Sequence, residues 1–394
     1  MLTKKRQKET RASVIDLNKV KNVFAIQMMH SFVSGVVGVA IPLMMKARDV
    51  DVVTMGLVFA AMPLIFQIGR MAFAVVSDLL GRKPFFISNG VLGSLSCLIY
   101  YAAHTPLEFL FGKVAEATKD GTLWAVNRAY LLEEGGNWRL LTSLRTLVYF
   151  AFAGGSLAAG FLIVWFLFEG TMLFCAMLGV IVLLLAMFLP SERRKEFGIG
   201  KALGLLDLRR KTFLFKSFLF LFLLMGLSLG LIGGFVITIF LDSNGFGSEA
   251  IGLITAVQLL LAGGSCYVFS KTTKVKQLIL VSGLLFSITY ALLGFSTSTV
   301  AAALVIMTGG ISGMMTVTQE GIMSKITDRQ SYGTDIGLLW TGFHIGESVS
   351  LVITGFLIAT WGFIAPFALT AASFPLFYVP AYLIMKRTSD DSHH

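Results

Sequence analysis

Four ionisable side chains, Lys113, Glu116, Lys119 and Asp120, interrupt a segment that is otherwise apolar, and His344 and Glu347 stand one helical turn apart in another. Acids set beside amines or an imidazole hold and release protons, because burial and a neighbouring cation pull a carboxyl group's proton affinity in opposite directions. Glu116, Asp120 and Glu347, with His344 beside the last, are therefore candidate proton carriers. At about 100° per residue, Lys113, Glu116, Asp120, Trp124 and Asn127 share an arc of about 80°, and Lys119 lies just beside it. One face of that helix is polar. Trp340, His344, Glu347 and Leu351 make a second stripe; Thr308, Ser312, Thr316 and Gln319 make a third, with Glu320 alongside; Gln27, Ser31 and Ser34 make a fourth, with His30 adjacent. Stacking and hydrogen bonding make Gln27, His30, Lys113, Trp124, Asn127, Gln258, Gln319, Glu320 and Trp340 candidate contacts for a small organic molecule. No nucleophile or metal-ligand cluster accompanies the acids, so neither catalysis nor a metal is expected, and no cofactor is suggested.

Apolar helices must position these groups. The 394 residues are 56% hydrophobic and 14% charged, with mean hydropathy +0.80, too apolar for a globule that covers itself with polar side chains. At about 20 residues per membrane crossing, the chain has room for roughly twelve helical spans and short loops. Apolar runs predict spans near 22–46, 53–77, 84–103, 106–131, 142–167 and 170–190, then 214–241, 250–271, 277–296, 299–324, 333–360 and 363–385. Each central charge costs about 2.5–3.5 kcal/mol to insert, so the four of span four must be paired or watered. Cys97, Cys175 and Cys266 fall inside apolar runs and act there as small hydrophobes.

A net charge of +10 raises the question of nucleic acid, but the basic residues lie between the spans and form no aromatic-interleaved face. Lipid is the expected partner surface, and a monomer the expected state. Of 32 Lys and Arg, only Lys46 and Arg48 occupy loops on the side opposite the N-terminus, the bias expected when the basic side is cytoplasmic. Residues 1–21 and 386–394 then form cytoplasmic tails, 22–190 and 214–385 six-helix bundles, and 191–213 a cytoplasmic linker. The N-terminal stretch has no short apolar core with a cleavage site, so the first run is expected to be a retained span. These features predict a multi-pass protein of the plasma membrane with both termini inside.

The halves repeat. Gly35, Gly38 and Met55-Gly56-Leu57 recur as Gly230, Gly233 and Ile251-Gly252-Leu253; Gly121 and Asn127-Arg128 fall opposite Gly313 and Gln319-Glu320; Gly154 and Ser156 fall opposite Gly346 and Ser348. Spans three, six, nine and twelve carry no ionisable residue in their interiors, as expected if some helices line a watered cavity and others shield it from lipid. The competing reading is that the polar groups knit helices together; Arg70 and Arg145, nearer the cytoplasmic ends of spans two and five, are expected to be gate or interface pairs. Repeated halves fit a protein that rocks about a central site. No Gly-x-x-x-x-Gly-Lys-Ser/Thr occurs, so ATP is not the expected energy source.

At Ala74 to Lys83, the stretch Ala-Val-Val-Ser-Asp-Leu-Leu-Gly-Arg-Lys joins spans two and three. It resembles the loop signature of the major facilitator superfamily, Gly-x-x-x-Asp-Arg-x-Gly-Arg-Arg/Lys, matching it at Asp78, Gly81, Arg82 and Lys83. The resemblance implies an all-α integral membrane fold of two pseudo-symmetric six-helix bundles, a gating loop whose Asp sits against a helix N-terminus of the partner half, and a cavity lined mainly by spans one, four, seven and ten. It further implies secondary transport by alternating access. Lys113-Val-Ala-Glu116-Ala117 loosely matches a proton-transfer motif of span four, and Gly155 to Gly160 departs from an exporter motif of span five by lacking its Pro and one Gly. The expectation is a carrier of a small organic solute, with protons as coupling ion and drug or metabolite export open; an uncoupled facilitator or a substrate-sensing receptor on the same fold is the alternative.

Overall fold

The computed structural model describes residues 17–133, 138–190, 208–271, 275–327 and 332–390. In lipid every backbone polar group needs an internal partner, which apolar segments of this length satisfy by becoming helices. The helices are α1 (Leu17–Ala47), α2 (Val52–Leu80), α3 (Lys83–Ala102), α4 (Pro106–Glu133), α5 (Trp138–Met187), α6 (Phe213–Gly230), α7 (Val236–Ser243), α8 (Ser248–Phe269), α9 (Val275–Leu293), α10 (Ser298–Ile326), α11 (Tyr332–Trp361), α12 (Ile364–Ser373) and α13 (Pro375–Asp390).

Among the described residues, ten helices are long and apolar enough to cross a membrane. Charge keeps α4 out of that set. At 50 residues, α5 supplies two crossings, because Leu167 leaves helical geometry with φ 57° and breaks it between the predicted spans five and six. A turn around Gly234 (φ 60°) joins α6 to α7 within one crossing, and Pro375 follows the end of α12 in another. Twelve crossings result. The first helix starts five residues before the predicted 22 and the last runs past 385, because apolarity stops where Lys19 and Lys386 begin, whereas helical hydrogen bonding does not.

Packing follows the repeat. In the first half α1 lies on the first arm of α5, α2 on α4, and α3 on both α4 and the second arm of α5. In the second half α6 lies on α11, α8 on α10, and α9 on both α10 and the last crossing. These are the same pairs shifted by six spans. Two further pairs, α2 with α11 and α5 with α8, join the halves.

The repeated glycines explain how close these pairs come. A Cβ on Gly35 would collide with Phe152 of α5, and one on Gly230 would sit 2.6 Å from the Glu347 carbonyl of α11. Between the halves, a Cβ on Gly56 would lie 2.7 Å from the Leu351 carbonyl, and one on Gly252 would lie 2.6 Å from that of Ser156. Small residues let helices meet backbone to backbone, which is how they bind tightly in lipid.

Outside the membrane, Asp51 caps α2 by accepting hydrogen bonds from the Val53 and Thr54 amides at 2.9 and 3.0 Å and from the Thr54 hydroxyl. The hydroxyl bond, with the amide bonds behind it, holds the Asp51 carboxyl below its ordinary range. Asp51→Ala is expected to cost about 1 kcal/mol. Because the carboxyl is held low in the folded state, this contribution is complete above about pH 4 and disappears as pH falls further. Melting curves of both proteins at pH 7 and pH 3 check this: the difference between them should shrink in acid.

Candidate functional site

The polar face of α4 turns into the first half. Lys113 Nζ lies 2.8 Å from Glu116 Oε2, which also accepts the Tyr100 hydroxyl of α3 at 2.6 Å. The Lys113 ammonium sits 4.4 Å from the centre of the Phe59 ring of α2, a placement favoured by the negative face of an aromatic ring. Lys119 Nζ lies 3.0 Å from Asp120 Oδ1 and donates to Ser34 of α1 at 3.2 Å. His30 Nε2 approaches the same Asp120 oxygen at 3.4 Å, and its Nδ1 faces Asn89 of α3. Asn127 donates to Gln27 at 2.7 Å, and Gln27 to Ser31 at 2.9 Å.

Gln27, His30, Lys113, Glu116, Lys119, Asp120 and Asn127 are all buried. Together they form a buried polar region of three clusters, around Glu116, Asp120 and Gln27, carried by α1, α3 and α4 with Phe59 of α2 beside Lys113. Its four charges meet the demand that membrane burial imposes by pairing with each other. Tyr100, Phe59 and Asn89 complete it, and no spacing signal on their own helices marks them. Trp124, on the same face, is half-buried.

A second set lies where α2 and α5 meet the other half. His344 Nδ1 stands 2.8 Å from Glu347 Oε2, with the side chains 13% and 24% exposed. Trp340 stacks on His344 at 5.8 Å between ring centres and 27° between planes, and Phe66 of α2 meets His344 edge-on at 5.3 Å. Gln67, one residue along, donates to the Gly337 carbonyl and the Thr341 hydroxyl of α11 at 2.9 and 2.8 Å. On the other side, Arg145 of α5 binds Glu320 of α10 at 2.9 Å, Arg128 of α4 approaches the same oxygen at 3.7 Å, and Tyr149 pairs with Thr316 at 2.9 Å.

Gln258 donates to Thr308 at 2.8 Å, and buried Gln319 faces the Met225 sulfur at 3.3 Å. Arg145 is therefore an interface pair, as expected. Arg70 is different: its guanidinium lies 5.5 Å from the centre of the Phe66 ring, and among the described residues it makes no ion pair. At the far end of the seam, Lys46 of α1 pairs with Asp242 of α7.

In the loop between α2 and α3, Gly81 adopts φ 87°, a conformation that favours glycine. Asp78 pairs with Arg82 of its own loop at 2.5 Å, and Lys83 donates to the Met187 carbonyl at 2.7 Å. The first turn of α11 holds its own acid, Asp335, which pairs with Lys211. That end already has a carboxylate against the positive pole of the helix, and Asp78 has its own counter-ion.

Two arrangements thus stand out: a buried set of paired charges within the first half, and a partly exposed seam of titratable, cationic and aromatic groups between the halves. Comparison with solved structures finds the same fold in the nucleoside transporter NupG, with TM-score 0.73 and 13% identity over 93% of this chain and 99% of that one. The human organic anion transporter MFSD10 gives TM-score 0.68 and 15% identity over 91% and 98%. No curated sequence matches. The sequence model of the major facilitator superfamily matches residues 23–274. With that match, the repeated six-span halves and the loop at Asp78, the chain belongs to the major facilitator superfamily.

Proposed function

We propose that this transporter is a secondary carrier that moves a small organic solute by alternating access and couples its movement to protons. The observation that carries the reading is the His344–Glu347 pair, 2.8 Å apart and partly exposed at the seam between the halves. The acid is 24% exposed, and its partner His344 packs on Phe66 of α2 across the contact that must change when the halves rock. Glu116 and Asp120 have weaker claims as proton carriers, since both are buried and engaged by Lys113, Tyr100, Lys119 and His30. Gln319, Glu320, Gln258, Trp340 and Thr316 lie on the second-half side of the solute path, and Trp124 on the first-half side. The solved neighbours are a nucleoside transporter and an organic anion transporter, in keeping with a small organic solute. The crowding of Lys and Arg on the side of the chain ends supports a cytoplasmic position for both termini.

The test is pH change inside proteoliposomes holding a pH-sensitive dye and challenged with a panel of organic solutes. Glu347→Gln is expected to abolish solute-driven proton flux, while Glu116→Gln and Asp120→Asn lower the melting temperature more than they change the ratio of protons to solute. Solute movement without proton flux in the native protein would mean an uncoupled facilitator. Tight binding without movement would mean a receptor.

A further inference from the structure

Phe66, Gln67 and Arg70 occupy one side of α2, within about 100° of arc. Contacts of Phe66 with His344 and of Gln67 with Gly337 and Thr341 fix that side as the one facing α11. Arg70 therefore sits at the seam, on the side of α2 that faces α11. Arg128 and Arg145 share the single carboxylate of Glu320. The other acids of the neighbourhood are engaged elsewhere: Glu116 by Lys113, Asp120 by Lys119, Asp78 by Arg82, Asp335 by Lys211 and Glu347 by His344. Among the described residues, Arg70 has the Phe66 ring beneath its guanidinium and no carboxylate beside it.

A guanidinium is always charged, and its fork of donors fits two oxygens of a carboxylate or phosphate at once. Held half-buried without an acid, it asks for an anion from outside. Beside it, Phe66, His344 and Trp340 run from α2 to α11 as a series of rings, with the Arg70 guanidinium over the first. Aromatic rings pack favourably, offset or edge to face, against another planar ring.

We propose that Arg70, with Phe66, His344 and Trp340, forms the binding site for an organic anion that carries a planar ring, its oxygens on Arg70 and its ring against the aromatic series. This rests on the carrier reading and names the class of solute. The anion would supply the carboxylate that Arg70 lacks among the described residues.

The experiment measures melting temperature of the purified protein in detergent against matched solutes: benzoate with benzamide, nicotinate with nicotinamide, and cyclohexanecarboxylate as an anion without a planar ring. Benzoate or nicotinate is expected to stabilise the native protein more than its amide, and cyclohexanecarboxylate to do so several-fold more weakly. Arg70→Gln should weaken the anion's apparent affinity at least tenfold, with Arg70→Lys, which keeps the charge but not the fork, between the two. Anions that stabilise no more than their amides, or an Arg70→Gln protein that binds them as the native one does, would overturn the proposal. Flux of the same solutes into proteoliposomes separates the two readings. Amides carried without preference for anions would leave the carrier standing and remove this site, whereas anion binding with no flux would do the reverse.

Discussion

Lys113→Met should be among the most damaging single substitutions in the protein, lowering stability by about 3–5 kcal/mol, the range for removing one partner of a buried ion pair. Methionine fills much of the same space, so the loss is electrostatic. Glu116 keeps the Tyr100 hydroxyl but loses the one cation bonded to it among the described residues, at 4% exposure. Adding Glu116→Gln removes the stranded charge, and the double variant is expected to recover most of the loss, giving a coupling energy well beyond additivity. Melting in detergent, with the two single variants and the double, measures the cycle. A Lys113→Met protein that melts like the native one would show that this face of α4 meets water rather than α2 and α3.

Gly252→Val is the second. Its first side-chain carbon would lie 2.6 Å from the Ser156 carbonyl and 3.1 Å from the Gly160 amide. The facing atoms are main chain, so no rotamer change makes room. Overpacking of this kind costs about 1–3 kcal/mol, and because it acts only where the halves touch, it favours arrangements in which they part there. A bias of that size shifts an equilibrium roughly 5–150-fold. The reactivity of a cysteine placed at Ser156 toward a membrane-impermeant maleimide should rise within that range, while solute flux falls. Gly56→Val, against Leu351 and Gly355, should act in the same direction. Unchanged labelling in both variants would mean that these crossings do not set the separation of the halves.

Much of this architecture is legible in the residue string because a bilayer imposes strong rules. Long apolar runs have few alternatives to helices, and Lys and Arg mark which loops share a side. Helical phase correctly groups Lys113, Glu116, Asp120 and Asn127 on one face of α4. Phase relates residues of one helix to each other, however, and says nothing about which neighbour they meet. The face was expected to line a watered cavity, and it packs instead on α1, α2 and α3, through partners such as Tyr100 and Asn89 that stand alone on apolar helices. The resemblance at Asp78 likewise implied a contact with the other half, and among the described residues its carboxylate pairs with Arg82. Arg70 shows the same limit, since an arginine expected to have a paired role has only a ring beneath it.

The two glycine crossings, Gly56 on Gly355 and Gly252 on Gly160, are images of one another under the internal repeat. Two points of touch define a line. Of the rigid movements open to a pair of bodies, turning about that line is the one that leaves both points in place, whereas tilting across it pulls one of them open. Main chain bears on main chain at both points, so in the rocking motion proposed above this line would serve as the axle. The repeat that doubled the bundle therefore also supplied both of its bearings.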